Sequence, residues 1–290
     1  MKYLVTGSAG FIGYHLCERL CNEGYDILGI DNMNSYYNVD LKRSRLDELA
    51  KFKNFRFVKT DLAEKNHLNE LFEREKIDIV INLAAQPGVR YSITNPEVSI
   101  RSNIIGFFNL LECSKNFSVK SLIYASSSSI YGNNPKIPSS VNDNVDHPIS
   151  LYAATKKSNE LMAYTYHHLY GIPMTGLRFF TVYGPYGRPD MAYHKFAENI
   201  MKGLPIDVYN NGDMERDFTY IDDVTEAIYR LTKKDVSNTY KLFNIGGEHP
   251  VNLLTFIEIL EKHLGKKAVK VFKEMQPGDV KITYADSSEL

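Results

Sequence analysis

The sequence predicts an α/β protein built on a doubly wound parallel sheet, followed by a smaller C-terminal region. Through residues 1–180, short apolar strands alternate with stretches whose apolar residues recur every three or four positions, as in strand–helix–strand units. Beyond Thr181, prolines and glycines interrupt this alternation and the elements shorten. We therefore assign residues 1–180 to the sheet domain, with residues 217–245 returning to it, and residues 181–290 to a substrate-binding region.

The first strand runs through Leu4 and Val5 into a glycine turn with the spacing Gly7-x-x-Gly10-x-x-Gly13. A stripe of apolar residues then predicts a helix that ends at Gly24. Strand, glycine turn and helix together favour a phosphate-binding loop, because glycine lets the backbone approach a pyrophosphate and the helix N-terminus supplies N–H donors.

The second strand ends in Asp31, eighteen residues after Gly13. A carboxylate there can accept both ribose hydroxyls of NAD and repels the 2′-phosphate of NADP. The third strand, residues 55–59, leads to Asp61, for which two interpretations stay open: contact with the adenine ring, or a cap on the next helix.

Two further strands end in groups suited to a cofactor site. Residues 77–83 read as a buried strand followed by Ala84 and Ala85, whose small size allows a ligand to pass closely. A long helix, residues 96–115, leads to strand 122–124 and then to a run of four serines, residues 126–129. Catalytic hydroxyls are expected at that end of a central strand.

Tyr152 and Lys156 are four residues apart and share one face of a predicted helix, residues 151–168. An ammonium near a phenol favours the phenolate, so this tyrosine is a candidate base. A sixth strand, residues 174–180, follows. Shorter elements are then expected at residues 193–201, 207–209, 216–220, 224–231 and 253–264.

Composition excludes several classes of function. A net charge of −1 gives no basic field for nucleic acid or an anionic membrane. The chain has no apolar run of about 18 residues and no signal-peptide pattern, so we expect a soluble cytoplasmic protein. Its three cysteines are too few for a disulfide framework, and its eight histidines lack metal-ligand spacing, so no metal is expected.

Taken together, the glycine turn, the two aspartates, the alanine pair, the serines and Tyr-x-x-x-Lys resemble the extended short-chain dehydrogenase/reductases. These proteins have a Rossmann-like fold and include the NAD-dependent epimerases and dehydratases. The resemblance covers essentially the whole chain and is greatest to the UDP-glucuronate 4-epimerases. The stretches that carry this narrower resemblance are residues 34–37, 85–92, 146–157, 177–185 and 212–220.

The resemblance implies 4-epimerisation of a UDP-sugar, most closely UDP-glucuronate to UDP-galacturonate for surface polysaccharide. Tyr152 takes the proton of the sugar 4′-hydroxyl while hydride passes to bound NAD. Lys156 lowers the pKa of the tyrosine and binds the nicotinamide ribose, and Ser127 hydrogen-bonds the same sugar hydroxyl. The 4-keto sugar then turns over, and hydride returns to its opposite face. The implied cofactor-binding residues are Gly7, Gly10, Phe11, Ile12, Gly13, Asp31, Asn32, Asp61, Leu62, Leu83, Ala84, Ala85, Tyr152 and Lys156.

Related dehydratases carry Asp-Glu, and related decarboxylases a Glu, beside the catalytic hydroxyl, where this chain has Ser128 and Ser129. Serines cannot perform that proton transfer, so epimerisation is favoured. By resemblance, Arg188 and Thr181 hold the glucuronate carboxylate, which suits a guanidinium fork. The other implied substrate-binding residues are Arg90, Ser127, Ser128, Arg216 for the diphosphate and Asp279 for the uridine ribose.

Two alternatives stay open: a 4-epimerase of UDP-N-acetylhexosamine or its uronic acid, and a catalytically inactive NAD-binding sensor or scaffold. The second is motivated by the chain's end at residues 285–290, which resembles the start of a helix through which family members continue. We therefore expect a truncated product. A homodimer is also expected, with helices 96–115 and 151–168 pairing across a two-fold axis.

Overall fold

The computed structural model describes residues 1–234 and 239–290. Most of its strands lie in one parallel sheet with the order β10-β6-β5-β4-β1-β2-β3. The strands are β1 (Lys2–Thr6), β2 (Asp26–Asp31), β3 (Phe55–Lys59), β4 (Ile79–Asn82), β5 (Ser121–Ser127), β6 (Met174–Phe179), β7 (Thr181–Tyr183), β8 (Pro205–Tyr209), β9 (Glu215–Tyr220), β10 (Tyr240–Ile245), β11 (Pro250–Asn252) and β12 (Val269–Lys273).

The sheet is covered by helices on both faces. The helices are α1 (Phe11–Asn22), α2 (Val39–Leu49), α3 (Lys65–Glu75), α4 (Val89–Thr94), α5 (Pro96–Ser99), α6 (Gly106–Asn116), α7 (Leu151–Tyr170), α8 (Ala192–Lys202), α9 (Ile221–Lys233) and α10 (Leu253–Leu264). One core cluster joins the sheet to α1 and α9, and a second joins it to α3, α6 and α7. Strand β1 serves both, because Tyr3 and Val5 face the first cluster and Leu4 the second. Its continuous apolar sequence follows from this two-sided burial.

The strand order reverses direction between β1 and β4, which is where an open α/β sheet has a crevice at the carboxyl ends of its strands. Chain crossovers run to β2 and β3 on one side and to β5, β6 and β10 on the other. The doubly wound parallel sheet expected from the sequence is therefore confirmed. The crevice at this switch point fixes where a ligand can lie.

The C-terminal part adds two smaller sheets beside this edge: β11-β9-β7 and β12-β8. A separate apolar core of Ile200, Ile206, Val208 and Ile257 packs α8 and α10 together. Of the return predicted for residues 217–245, α9 packs on α1 and β10 pairs with β6 of the main sheet. Residues 217–220 belong to β9 in a smaller sheet, and residues 235–238 lie outside the described residues.

Helical structure runs without a break from Pro96 to Asn116, as expected for residues 96–115. A π-helical segment, Ile100–Ile105, separates α5 from α6, and the short helix α4 precedes them. Residues 287–290 form a turn, and Asp286 Oδ1 accepts the Ser288 N–H at 3.2 Å. The three cysteines are buried and free.

Candidate functional site

A cleft of about 790 Å³ opens at the carboxyl ends of the main-sheet strands and continues toward the C-terminal region. All of the residues that the sequence singled out line this one cleft. They are Gly7, Gly10, Phe11, Ile12, Gly13, Asp31, Asn32, Asp61, Leu62, Leu83, Ala84, Ala85, Arg90, Ser127, Ser128, Tyr152, Lys156, Thr181, Arg188, Arg216 and Asp279.

The glycine turn is packed too tightly for side chains. A Cβ on Gly13 would lie 2.1 Å from the carbonyl oxygen of Gly7, and one on Gly7 would lie 2.9 Å from the backbone nitrogen of Ala84. Gly7 also has φ +72°, which favours glycine. Helix α1 starts directly after Gly10, and the Gly10 N-cap has no side chain to bond the first-turn N–H groups. Those donors suit an anionic ligand such as a pyrophosphate.

Asp31 ends β2 and is buried beside Lys42 of α2. The Lys42 ammonium donates to Asp31 Oδ1 at 3.1 Å and to Asn34 Oδ1 at 3.1 Å. This pairing keeps a carboxylate at the position expected for ribose recognition, with a cation next to it. Lys42 was not predicted from the sequence, because a lysine on a helix rich in charged residues is usually exposed.

The capping interpretation of Asp61 is wrong. Helix α3 begins at Lys65 with Glu64 at the N-cap, so Asp61 lies too far upstream. Its carboxylate instead accepts the Ala63 N–H at 2.9 Å, and Asn32 Nδ2 donates to its other oxygen at 3.4 Å. Asp61 lines the cleft, and its contact with an adenine ring stays a prediction.

Helix α7 places Tyr152 and Lys156 on the floor of the cleft. Ser150 caps the helix through the Ala153 N–H at 3.1 Å, and Ser92 accepts the Tyr152 N–H at 3.1 Å. The Lys156 ammonium donates to the Ala125 carbonyl at 2.9 Å, next to the serine run. These bonds hold the pair one helical turn apart, facing the end of β5.

A buried ion pair holds α7 against the serine strand. Arg178 of β6 binds Glu160 through two bonds of 2.9 Å, and Ser126 donates to the same carboxylate at 2.7 Å. Both charged side chains are nearly inaccessible to solvent. Removing one partner would leave an unpaired buried charge, which typically costs about 3–5 kcal/mol. The network therefore makes the position of α7 hard to shift.

Burial is the largest influence on the pKa values of Tyr152 and Lys156. It raises the pKa of Tyr152, while a hydrogen bond with Ser127 and the charge of Arg188 lower it. Burial lowers the pKa of Lys156 to about 8. Ser127 and Arg188 are thus the groups that favour the phenolate here, and the expected effect of Lys156 on Tyr152 stays a prediction.

The π-helical segment has a clear structural role. Asn103 within it accepts the Gln86 N–H at 2.7 Å, donates to the Gln86 carbonyl at 3.1 Å and donates to Thr155 at 3.0 Å. Its own carbonyl accepts from Asn159 at 2.7 Å. The wide turn thereby ties the loop after β4 to helix α7, at the centre of the cleft. No period in the sequence signals such a turn.

Arg188 is paired with Asp190 at the end of the cleft where the resemblance places the sugar, which we call the sugar end. Its Nε donates to Asp190 Oδ1 at 3.0 Å and its Nη2 to Oδ2 at 2.7 Å, and the Tyr36 hydroxyl donates to Oδ2 at 3.1 Å. Thr181 begins β7 beside them in the same cleft. Neither Asp190 nor Tyr36 was predicted as a site residue, although Asp190 stands only two residues after Arg188.

The far end of the cleft brings three predicted residues together. Asp279 lies 3.0 Å from Arg90 Nη2 and 3.5 Å from Arg216 Nη2. Burial lowers the pKa of Arg216, and the charge of Asp279 opposes this shift. Arg90 also stacks over the Tyr209 ring at 5.2 Å. Two guanidinium groups around one carboxylate leave a net positive charge, which suits a diphosphate.

Residues 3–246 match the family model described as "NAD dependent epimerase/dehydratase family". The chain belongs to this family. The matched residues include the glycine turn, the serine run and the Tyr152–Lys156 pair.

Individual relatives cover nearly the whole chain. Protein CapI of Staphylococcus aureus is 54% identical over 100% of this chain and 91% of its own length. The UDP-glucuronate 4-epimerase of Thermodesulfobacterium geofontis is 47% identical over 99% of this chain and 88% of its own. The solved structure of UDP-glucuronic acid 4-epimerase from Bacillus cereus, in complex with UDP-glucuronic acid and NAD, superimposes with a TM-score of 0.93. It is 37% identical and covers 100% of this chain and 91% of that one.

The residues of the cleft fit NAD. The glycine turn leaves the N-terminus of α1 open to a pyrophosphate, and Asp31 can accept ribose hydroxyls. Lys156 lines the same cleft. Within residues 1–234 and 239–290, no group of three or more His, Cys, Asp or Glu side chains is arranged to hold a metal ion. The same residues include no helix that is both long and apolar enough to cross a membrane.

Proposed function

We propose that this protein is an NAD-dependent 4-epimerase that converts UDP-glucuronate to UDP-galacturonate. The observation that supports this most directly is the position of Arg188 beside Tyr152, near enough for its charge to lower the pKa of the phenol. A candidate base and a candidate carboxylate ligand therefore share the sugar end of one cleft.

Within this proposal, each residue has a separate task. Tyr152 takes the proton from the sugar 4′-hydroxyl and later returns it, while Ser127 hydrogen-bonds the tyrosine and the same hydroxyl. Lys156 binds the nicotinamide ribose, and the glycine turn and Asp31 hold the rest of the cofactor. When bound, NAD supplies a reversible acceptor for the C4′ hydride. Arg90, Arg216 and Asp279 hold the UDP moiety while the 4-keto sugar turns over.

The neighbours of the base also support epimerisation over the related reactions. Ser128 and Ser129 stand beside Ser127 and line the cleft, so no carboxylic acid is available there for elimination at C5 and C6. Arg188 and Thr181 hold the uronate carboxylate, which keeps that group in place in the 4-keto intermediate.

A product assay tests the proposal. Purified protein incubated with UDP-glucuronate should form UDP-galacturonate without net consumption of NAD, as resolved by chromatography. Replacing Tyr152 with Phe should slow turnover about 10²–10⁴-fold, the usual contribution of a general base, while bound NAD is retained. NAD-loaded protein that leaves UDP-glucuronate unchanged would favour a sensor or scaffold instead. Turnover of UDP-N-acetylhexosamine alone would favour the other epimerase.

We further propose a cytoplasmic homodimer in which α7 and the segment α5–α6 of two copies pair. Exposed apolar side chains on these helices support it: Leu161 is 58% exposed, Tyr164 55%, Ile105 44% and Phe108 42%. Light scattering at micromolar concentration should give twice the chain mass. Leu161→Lys should lower the measured mass toward that of a monomer. The matched control Val269→Lys, on a 54% exposed valine of β12, should not. A monomeric parent protein contradicts the dimer.

A further inference from the structure

The guanidinium of Arg188 has two edges that can bind a carboxylate, and one is already taken. Its Nε and Nη2 bind the two oxygens of Asp190 at 3.0 and 2.7 Å. None of the hydrogen bonds found within residues 1–234 and 239–290 uses Nη1. The remaining N–H of Nη2 makes only a long bond to Met191 Sδ at 3.6 Å, and a thioether sulfur is a weak acceptor. A planar acceptor that displaces this bond can therefore bind the second edge, formed by Nη1 and Nη2.

Asp190 is itself fixed from a distant part of the chain. The Tyr36 hydroxyl donates to Asp190 Oδ2 at 3.1 Å, across 154 positions of sequence. The Tyr36 ring packs edge-on against Tyr91, with ring centroids 4.8 Å apart. Both partners of the Asp190–Arg188 pair are about three-quarters buried. The carboxylate thus has one position, and the guanidinium bound to it has one orientation.

The charges of this pair are stable at neutral pH. Burial opposes the ionisation of Asp190, but its bonds with Arg188 and Tyr36 hold its pKa below the ordinary value. The pair is neutral as a whole. A neutral sugar consequently meets no unpaired buried charge at this end of the cleft.

We propose that Asp190 is a specificity-determining positioning residue: it holds Arg188 by one edge so that the other edge meets the carboxylate of a uronic acid. The inference rests on the proposed function for the class of substrate. It assigns to Asp190 a role that requires no contact with the sugar. Asp190 raises affinity for the acid because the guanidinium is oriented before the substrate arrives.

The opposite role for Asp190 gives the opposite result. If Asp190 occupied the edge that the substrate needs, it would compete with the uronate carboxylate, and its removal would tighten binding. If Asp190 only supported the fold, its removal would weaken the binding of all UDP-sugars by the same factor.

The experiment measures affinity by calorimetry in a Tyr152→Phe background, where no turnover disturbs binding. Asp190→Ala should weaken the affinity for UDP-glucuronate about tenfold, within the usual range for coupled neighbouring residues. The same substitution should change the affinity for UDP-glucose less than about twofold. Asp190→Asn keeps the size and an acceptor for Tyr36, and should cause a smaller loss in the same direction. The control Asp213→Ala removes an exposed aspartate paired with Lys281 outside the cleft and should change neither affinity.

A double substitution separates positioning from damage to the fold. In the presence of Arg188→Ala, adding Asp190→Ala should cause no further loss of UDP-glucuronate affinity, because the oriented group is already absent. Tighter binding of UDP-glucuronate by Asp190→Ala, equal losses on both sugars, or additive losses in the double variant would each overturn the inference while leaving the proposed function standing. A Tyr152→Phe parent that binds no UDP-sugar contradicts the proposed function itself.

Discussion

The cofactor end of the cleft and its substrate side present different kinds of surface. At the cofactor end, the backbone defines the surface: Gly7 and Gly13 leave no room for a Cβ, and helix α1 presents its N-terminus. On the substrate side, which comprises the sugar end and the far end, paired side chains define the surface: Arg188 binds Asp190, and Arg90 and Arg216 share one carboxylate. We therefore expect the cofactor end to bind its ligand by close approach, and the substrate side to select a ligand by charge and orientation.

This difference determines how each end responds to change. A steric cradle tolerates no added atom, but its geometry is contained in a few consecutive residues. An ion-pair site tolerates changes of size but depends on partners that are distant in the chain. Arg45 joins the two ends, because it is fully buried and donates to the Ala9 carbonyl at 2.8 Å and to the Tyr186 carbonyl at 2.6 Å.

The largest expected effect comes from adding one carbon at the cofactor end. Gly13→Ala places a Cβ 2.1 Å from the Gly7 carbonyl, so the turn must open at a cost of about 1–3 kcal/mol. We expect NAD to be lost during purification and epimerase activity to fall about 100-fold or more. Absorbance of extracted cofactor and the product assay measure both.

The control for this substitution is Gly171→Ala at the end of α7. Gly171 also has a positive φ, +67°, but nothing lies within 4 Å of its Cβ position. It should cost about 1 kcal/mol of stability from backbone strain alone and keep its NAD. Equal NAD loss in both variants would mean that the cradle is not sterically defined.

At the opposite end, Arg216→Ala should raise the KM for UDP-glucuronate about 10- to 100-fold, because a buried charge-assisted anchor is removed. Bound NAD should stay unchanged, since Arg216 lies at the far end of the cleft. Steady-state kinetics and cofactor content are the measurements, with Arg230→Ala, an exposed arginine of α9, as the control. Loss of NAD in Arg216→Ala would contradict the independence of the two ends.

Lys156 offers a test through stability. Burial lowers its pKa from 10.5 to about 8, so the folded state binds fewer protons than the unfolded state between these values, and stability rises with pH across that window. Lys156→Met should therefore raise the free energy of unfolding by about 3 kcal/mol at pH 7, a gain that shrinks to nothing near pH 10.5. Denaturant melts at pH 7 and pH 10 measure it, and a pH-independent difference would show that burial of the charge is not the cause.

The smallest effect is expected for Ser127→Ala. The hydrogen bond from Ser127 lowers the pKa of Tyr152, so its loss raises that pKa and reduces the fraction of phenolate at neutral pH. We expect kcat to fall about 3- to 10-fold, from the loss of one neutral hydrogen bond of about 0.5–1.5 kcal/mol. The pH optimum should move to higher pH. A profile that keeps its position would indicate that Ser127 acts on the substrate alone.

The sequence by itself determined the parallel sheet, the glycine turn at the cofactor end of the cleft and the helix that carries the candidate base Tyr152. These features rest on local patterns: apolar strands, a glycine spacing of seven residues, and two side chains one helical turn apart. Even the site residues inferred by resemblance all came together in one cleft. Helix capping at Asp61 was wrong, and the π-helical turn inside the helix expected over residues 96–115 was not predicted, because capping and wide turns depend on packing rather than on period.

Only the tertiary structure decided how the charges at the sugar end and the far end of the cleft are paired. Tyr36, Arg188 and Asp190 come from the loop after β2 and the loop before α8, and Arg90 meets Asp279 across 189 positions. Such pairs leave no periodic signal, because their distance in sequence has no fixed relation to their distance in space. A charged side chain can be recognised from the sequence, but its partner is chosen by the fold.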